Sequence, residues 1–188
     1  MTLNQVTIFL KTHWRLIIFV PIIVSVLIFL IFIRFLRGQT PQEEPRGLSW
    51  NGIYAGTTKE ELESKLGQPL KIEGQDGDTL YSYPSTNQYR PHQVELSQNT
   101  ISIIKEQIIG NEKGTLQNYI DSYGQPGSKV YGQHGTFAPG NLWGQQGIIV
   151  FANDLEGTIV EIWYFQPTTL EEFLIQNPQI EKDEPENF

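Results

Sequence analysis

The chain has 188 residues, a formal net charge of −8, 39% hydrophobic residues and no cysteine. Its length fits one globular domain or two very small ones, and the missing cysteine excludes a disulfide framework, a thiolate metal site, a cysteine nucleophile and a lipidated cysteine. Residues 1–46 carry five basic and two acidic side chains, a surplus of +3, whereas residues 47–188 carry eight basic and nineteen acidic ones, a balance of −11 that repels phosphate and excludes a nucleic-acid partner.

Residues 1–15 form a short N-terminal tail. Leu16–Ile33 is then an apolar run without a charged residue, bracketed by Arg15 and Arg34. As a helix this run would span roughly 27 Å, near the roughly 30 Å hydrocarbon core of a bilayer. With Phe35 and Leu36 extending the run into the interface, the pattern predicts a transmembrane helix over 16–36. No small-residue cleavage site follows it, so a single-pass anchor, with the lipid bilayer as its partner, is expected rather than a signal peptide. Basic residues flank both ends, and the positive-inside rule is nearly balanced. The short tail and the large segment after the helix place the C-terminal domain outside the cytoplasm, at the cell membrane.

Residues 37–47 contain Pro41 and Pro45 and read as an extended linker. The globular domain is expected over 48–176. Within it, a shift of 57 residues lays Thr58 to Pro69 over Thr115 to Pro126 without a gap. Thr58 and Thr115 are N-caps, Thr58 with Glu61 in a capping box. Leu62 and Leu66, or Tyr119 and Tyr123, share one side of a short helix. Gly67 and Gly124 supply the left-handed position that ends it, and Pro69 and Pro126 stop it.

Strand-like segments follow each helix. Leu70–Gly74 and Thr79–Tyr83 flank a glycine-containing turn, and Val94 to Ile103 reads as a second hairpin. Ser128–Gly132, Gly147–Ala152 and Thr158–Phe165 complete the second unit, with His134–Gly144 as a long loop. Thr169 and Glu172 make a capping box for a final helix over 169–176, and residues 177–188 read as a disordered acidic tail. The expected fold is α+β: two tandem units, about 48–109 and 110–166, each a helix followed by an antiparallel meander, in a two-layer domain with helices on one face of the sheet.

The stretch Gly56-Thr57-Thr58 through Leu66-Gly67-Gln68-Pro69, with a weaker copy from Gly114 to Pro126, resembles the SmpA/OmlA (BamE-like) module. Tandem copies resemble the β-lactamase-inhibitory-protein fold. The resemblance implies a non-enzymatic extracytoplasmic module that scaffolds or grips an envelope protein on an open sheet face. The chain departs from the outer-membrane lipoproteins in lacking a lipidated cysteine.

No catalytic constellation, cofactor site or metal site is expected. His13, His92 and His134 have no nucleophile and acid at a supporting spacing, although His134 with Asp76 or Asp121 is a formal possibility. Asp76 and Asp78 flank Gly77 but lack the rest of a calcium loop. The most informative run is Thr158–Phe165, apolar on both faces. If only one sheet face is covered, Trp163 and Phe165 stand exposed, with Trp143 and Tyr131 nearby, as partner-binding residues. If the strand is central and the loop folds over it, they are core. The sequence thus leads to an anchored protein-binding or scaffolding module for an envelope protein. The alternative is an inhibitor or enzyme acting on cell-wall or envelope substrates, which requires a deep pocket with convergent polar groups.

Overall fold

The structure, a computed structural model, describes residues 47–75, 78–87 and 89–185. The expected membrane helix at 16–36 lies outside them. Among the described residues no helix is long and apolar enough to cross a membrane.

In chain order the elements are α1 (Lys59–Leu66), β1 (Lys71–Gln75), β2 (Asp78–Tyr83), β3 (His92–Ser97), β4 (Thr100–Gln107), α2 (Leu116–Tyr123), β5 (Ser128–Val130), β6 (Gly140–Trp143), a 3₁₀ turn (Gly144–Gln146), β7 (Ile148–Ala152), β8 (Ile159–Phe165) and α3 (Leu170–Gln176). The helices are short and depend on their ends. Thr58 accepts from the Glu61 N–H at 3.3 Å, and Glu60 and Glu61 sit in the first turn, where the helix dipole favours negative charge. At the other end Gly67, at φ 75°, donates its N–H to the Glu63 carbonyl. Gly124 repeats this at the end of α2.

All eight strands form one antiparallel sheet in the order β1-β2-β3-β4-β8-β7-β6-β5. The two halves join where β4 meets β8, with Ile104 opposite Tyr164 and Glu106 opposite Ile162. Side chains alternate across a strand, so β4 and β8 contribute to two cores. One, around Ile104, Ile162 and Tyr164, packs under α1 and α2 through Leu62, Leu66, Leu116, Tyr119 and Ile120. The other, around Ile103, Trp163, Phe165 and Phe151, packs under Phe173 of α3 and Ile180.

This corrects the expected fold class. The domain is not a two-layer arrangement with helices on one face: α3 and the C-terminal segment cover the opposite face over the second half of the sheet. The cause is local. Thr169 and Glu172 cap α3 reciprocally, at 3.3 Å for each backbone N–H, and set Phe173 against Phe165 with ring centroids 4.7 Å apart. The resemblance to the SmpA/OmlA module and to the β-lactamase-inhibitory-protein fold is corrected with it.

Two further expectations change. Gly140–Trp143, read as part of a long loop, is strand β6 and is entirely buried. Its one polar side chain, Asn141, is buried with the rest, so the in-and-out alternation that identifies a strand is missing. The segment after 176, read as disordered, is docked as far as Glu181: Ile180 is 4% exposed, and Tyr131 and Glu181 exchange backbone hydrogen bonds of 2.7 and 2.8 Å.

Candidate binding surface

Burial decides where the expected contact residues stand. Trp143, Trp163 and Phe165 are 3%, 2% and 4% exposed. Trp143 belongs to the core under α2, where its indole donates to the Gly124 carbonyl at 2.9 Å. Trp163 and Phe165 belong to the opposite core, Trp163 stacked obliquely on Phe151 with centroids 5.1 Å apart. Tyr131 is half-buried at the sheet edge and held by Glu181. The structure therefore does not bring the four onto one surface. In the folded domain the three core rings are packing residues, because strand β8 is central and both its faces are covered.

Among the described residues, nothing covers the α3-side face of the first half of the sheet. The strand register places Glu73, Leu80, Glu95 and Ile103 in one row across β1 to β4. Ile103 is the last of these to reach the cover under α3. On the outer strands a recess of about 720 Å³ is lined by Glu73, Asp78, Leu80, Glu95, Ser97 and Ser102, with Gln176 from the end of α3 at its border. Ser97 Oγ donates to Asp78 Oδ1 at 2.8 Å, and Ser102 Oγ donates to the Glu95 carbonyl at 3.1 Å. The floor is thus acidic and hydroxyl-bearing, with Leu80 as its half-buried aliphatic side chain and the buried Leu96 beside it.

Lys105 marks the inner boundary. Its ammonium pairs with Glu95 and lies 4.3 Å from the centre of the Trp163 ring, a cation–π contact on a largely desolvated face. Beyond it lies a buried polar cluster. Glu161 is fully buried; its Oε1 accepts from Gln107 Nε2 at 2.6 Å, and its Oε2 accepts from Gln133 Nε2 at 2.8 Å and lies 2.7 Å from His134 Nε2. Burial pushes the Glu161 carboxyl up, but hydrogen bonding from His134 and Gln133 and the nearby Trp163 indole outweigh it and hold the group below its ordinary value. The indole N–H itself has no partner in hydrogen-bond geometry. A narrower cavity of about 220 Å³ adjoins this cluster, lined by Tyr89, Arg90, Pro91, Gln93, Gln107 and Gln133.

Of the three histidines, His13 lies outside the described residues, and His92 and His134 are committed to structure. His134 pairs with Glu161, not with Asp121, whose Oδ1 accepts from Gln117 Nε2 at 2.7 Å; Asp76 lies outside the described residues. His92 Nδ1 accepts from the Gln107 backbone N–H at 3.0 Å, and burial lowers its pKa. On the helix-covered face a second buried carboxylate, Glu106, accepts from Tyr164 Oη at 2.7 Å and pairs with Lys113 at 2.9 Å. Glu161 is the residue that could have been singled out from sequence: a lone carboxylate inside Ile159–Phe165 must find donors if that strand is central.

No protein-family model and no curated protein matches the chain. Solved structures similar to it include the following three. A cysteine-rich secretory protein from Staphylococcus aureus subsp. aureus Mu50 aligns at 14% identity and TM-score 0.47, covering 77% of this chain and 55% of its own. An extracellular protein containing an SCP domain from Bacillus anthracis str. Ames aligns at 15% identity and TM-score 0.45, covering 71% of this chain and 50% of its own. A DUF4309 family protein from Bacillus subtilis subsp. subtilis str. 168 aligns at 13% identity and TM-score 0.43, covering 64% of this chain and 88% of its own. The chain therefore spans about half the length of the first two. None of the three is named as a BamE-like or β-lactamase-inhibitory protein.

Proposed function

We propose that the domain is a non-enzymatic protein-binding module, working outside the cytoplasm, whose contact surface is the uncovered face of β1 to β3 with the start of β4. One observation carries the reading: α3 covers only half of one sheet face, and the other half is left as a broad recess on paired strands. A rigid, open sheet face fits an extended segment of a partner better than a small molecule, which requires more enclosure.

The chemistry of the recess selects the partner. Glu73, Asp78 and Glu95 contribute carboxylates, Ser97 and Ser102 hydroxyls, and Leu80 an apolar centre. Residues 47–188 carry a balance of −11. An extended cationic peptide segment with an aliphatic side chain at its middle matches this surface, and the field of the domain would speed its arrival.

The test uses an oligolysine peptide as the probe and places positive charge in the recess. Leu80→Arg and Ser102→Arg should each weaken its binding about tenfold, which is about 1.4 kcal/mol, while the unfolding midpoint stays near that of the parent chain. Unchanged peptide affinity in both variants would remove the recess from the function.

A further inference from the structure

The chain treats the two ends of its sheet differently. Beyond β5 the C-terminal segment is laid against Tyr131 through the backbone pair with Glu181. At the other end β1 is the terminal strand, and among the described residues nothing pairs with its outer side. An uncovered edge strand presents a row of backbone donors and acceptors ready to pair with another chain. Large apolar side chains stand at this edge: Leu70 is 69% and Ile72 52% exposed.

We infer that β1 pairs antiparallel with β1 of a second copy of this chain, centred on Ile72. The charge pattern argues for that occupant and that register. Lys71 and Glu73 flank Ile72 on one face of the strand and now pair with each other at 2.7 Å, both largely exposed. When two such strands run antiparallel about Ile72, Lys71 of each copy lies opposite Glu73 of the other. Two opposite-charge pairs form by symmetry.

On the other face Ile72 lies opposite Ile72, and Leu70 opposite Gly74, which has no side chain to crowd it. Leu70 of each copy is then diagonal to Ile72 of the other, within reach of an aliphatic contact. Four exposed apolar side chains thereby cover one another. A lone lysine on an edge strand repels a second copy in the registers that bring the two lysines together, with no register in which it finds an opposite charge. A lysine two residues before a glutamate repels only the wrong ones.

The full chain contains no cysteine, so one introduced cysteine reports proximity directly. Opposed residues of an antiparallel pair lie within the separation a disulfide requires. Under mild oxidation Ile72→Cys should give a cross-linked dimer rapidly, and Leu155→Cys, on the exposed turn before β8, should not. In the Ile72→Cys background, Lys71→Glu or Glu73→Lys alone sets like charges opposite each other and should slow cross-linking about tenfold. Lys71→Glu with Glu73→Lys in one chain restores the pairs and should restore the rate. Because both side chains are exposed, thermal unfolding of these variants should match the parent. Cross-linking of Ile72→Cys no faster than of Leu155→Cys, or a rate indifferent to the charge changes, would overturn the inference.

Discussion

At the scale of single residues, the buried carboxylates set the terms. Glu161 sits in the central strand with no exposure, and three side chains converge on it. Replacing it with alanine leaves Gln107, Gln133 and His134 with unmet hydrogen-bonding groups and should destabilise the domain by about 3–5 kcal/mol in chemical denaturation. Glu161→Gln keeps the shape and should cost less. The sign of the pH dependence follows from the depressed pKa. A carboxylate held below its ordinary value contributes stability that is fully present above that value and is lost as pH falls through the folded-state pKa. The parent should therefore lose stability in acid more steeply than Glu161→Gln, as unfolding curves collected below the ordinary carboxylate range would register. An equally steep loss in both would remove Glu161 from the acid response.

At the scale of elements, α3 decides how much of the sheet is open. Phe173 is 1% exposed and packs on Phe165. Phe173→Ala should cost about 3–5 kcal/mol and loosen the cover over Trp163 and Phe165. Thr169→Ala, which removes the reciprocal cap with Glu172, should cost about 1 kcal/mol. Indole fluorescence is the check: quenching by acrylamide should increase in Phe173→Ala at denaturant concentrations where the parent remains protected. The helix ends were legible in sequence because caps and terminating glycines act within a few residues: Thr58, Gly67, Thr115, Gly124 and Thr169 all occupy the positions their chemistry requires. The side of the sheet that α3 takes was not legible. It depends on the path of residues 166–169 out of β8, and nothing in the amphipathicity of a seven-residue helix chooses between two apolar faces. Gly140–Trp143 escaped for a related reason: a strand covered on both faces has no polar alternation to reveal it.

At the scale of the whole molecule, the sheet is one continuous layer with a helix pair on one face and a partial cover on the other. The half-cover is what separates core from surface. Trp163 and Phe165, chosen from sequence as contacts, lie beneath it, and the residues beyond its border are Glu73, Leu80, Glu95, Ser97 and Ser102. None of these stands out in a linear reading, because polar residues alternating on an outer strand look the same whether they face solvent or a partner. Their grouping comes from register, with Glu73 opposite Leu80 and Leu80 opposite Glu95. The central claim, that this half-face receives an extended cationic segment, is tested most directly by mapping backbone amide shifts on titration with an oligolysine peptide. The account predicts saturable changes clustered at Glu73, Leu80, Glu95, Ser97 and Ser102 that vanish in Leu80→Arg. Changes confined to the α1 and α2 side, around Leu116 and Ile120, or no saturable change on the open face, would contradict it.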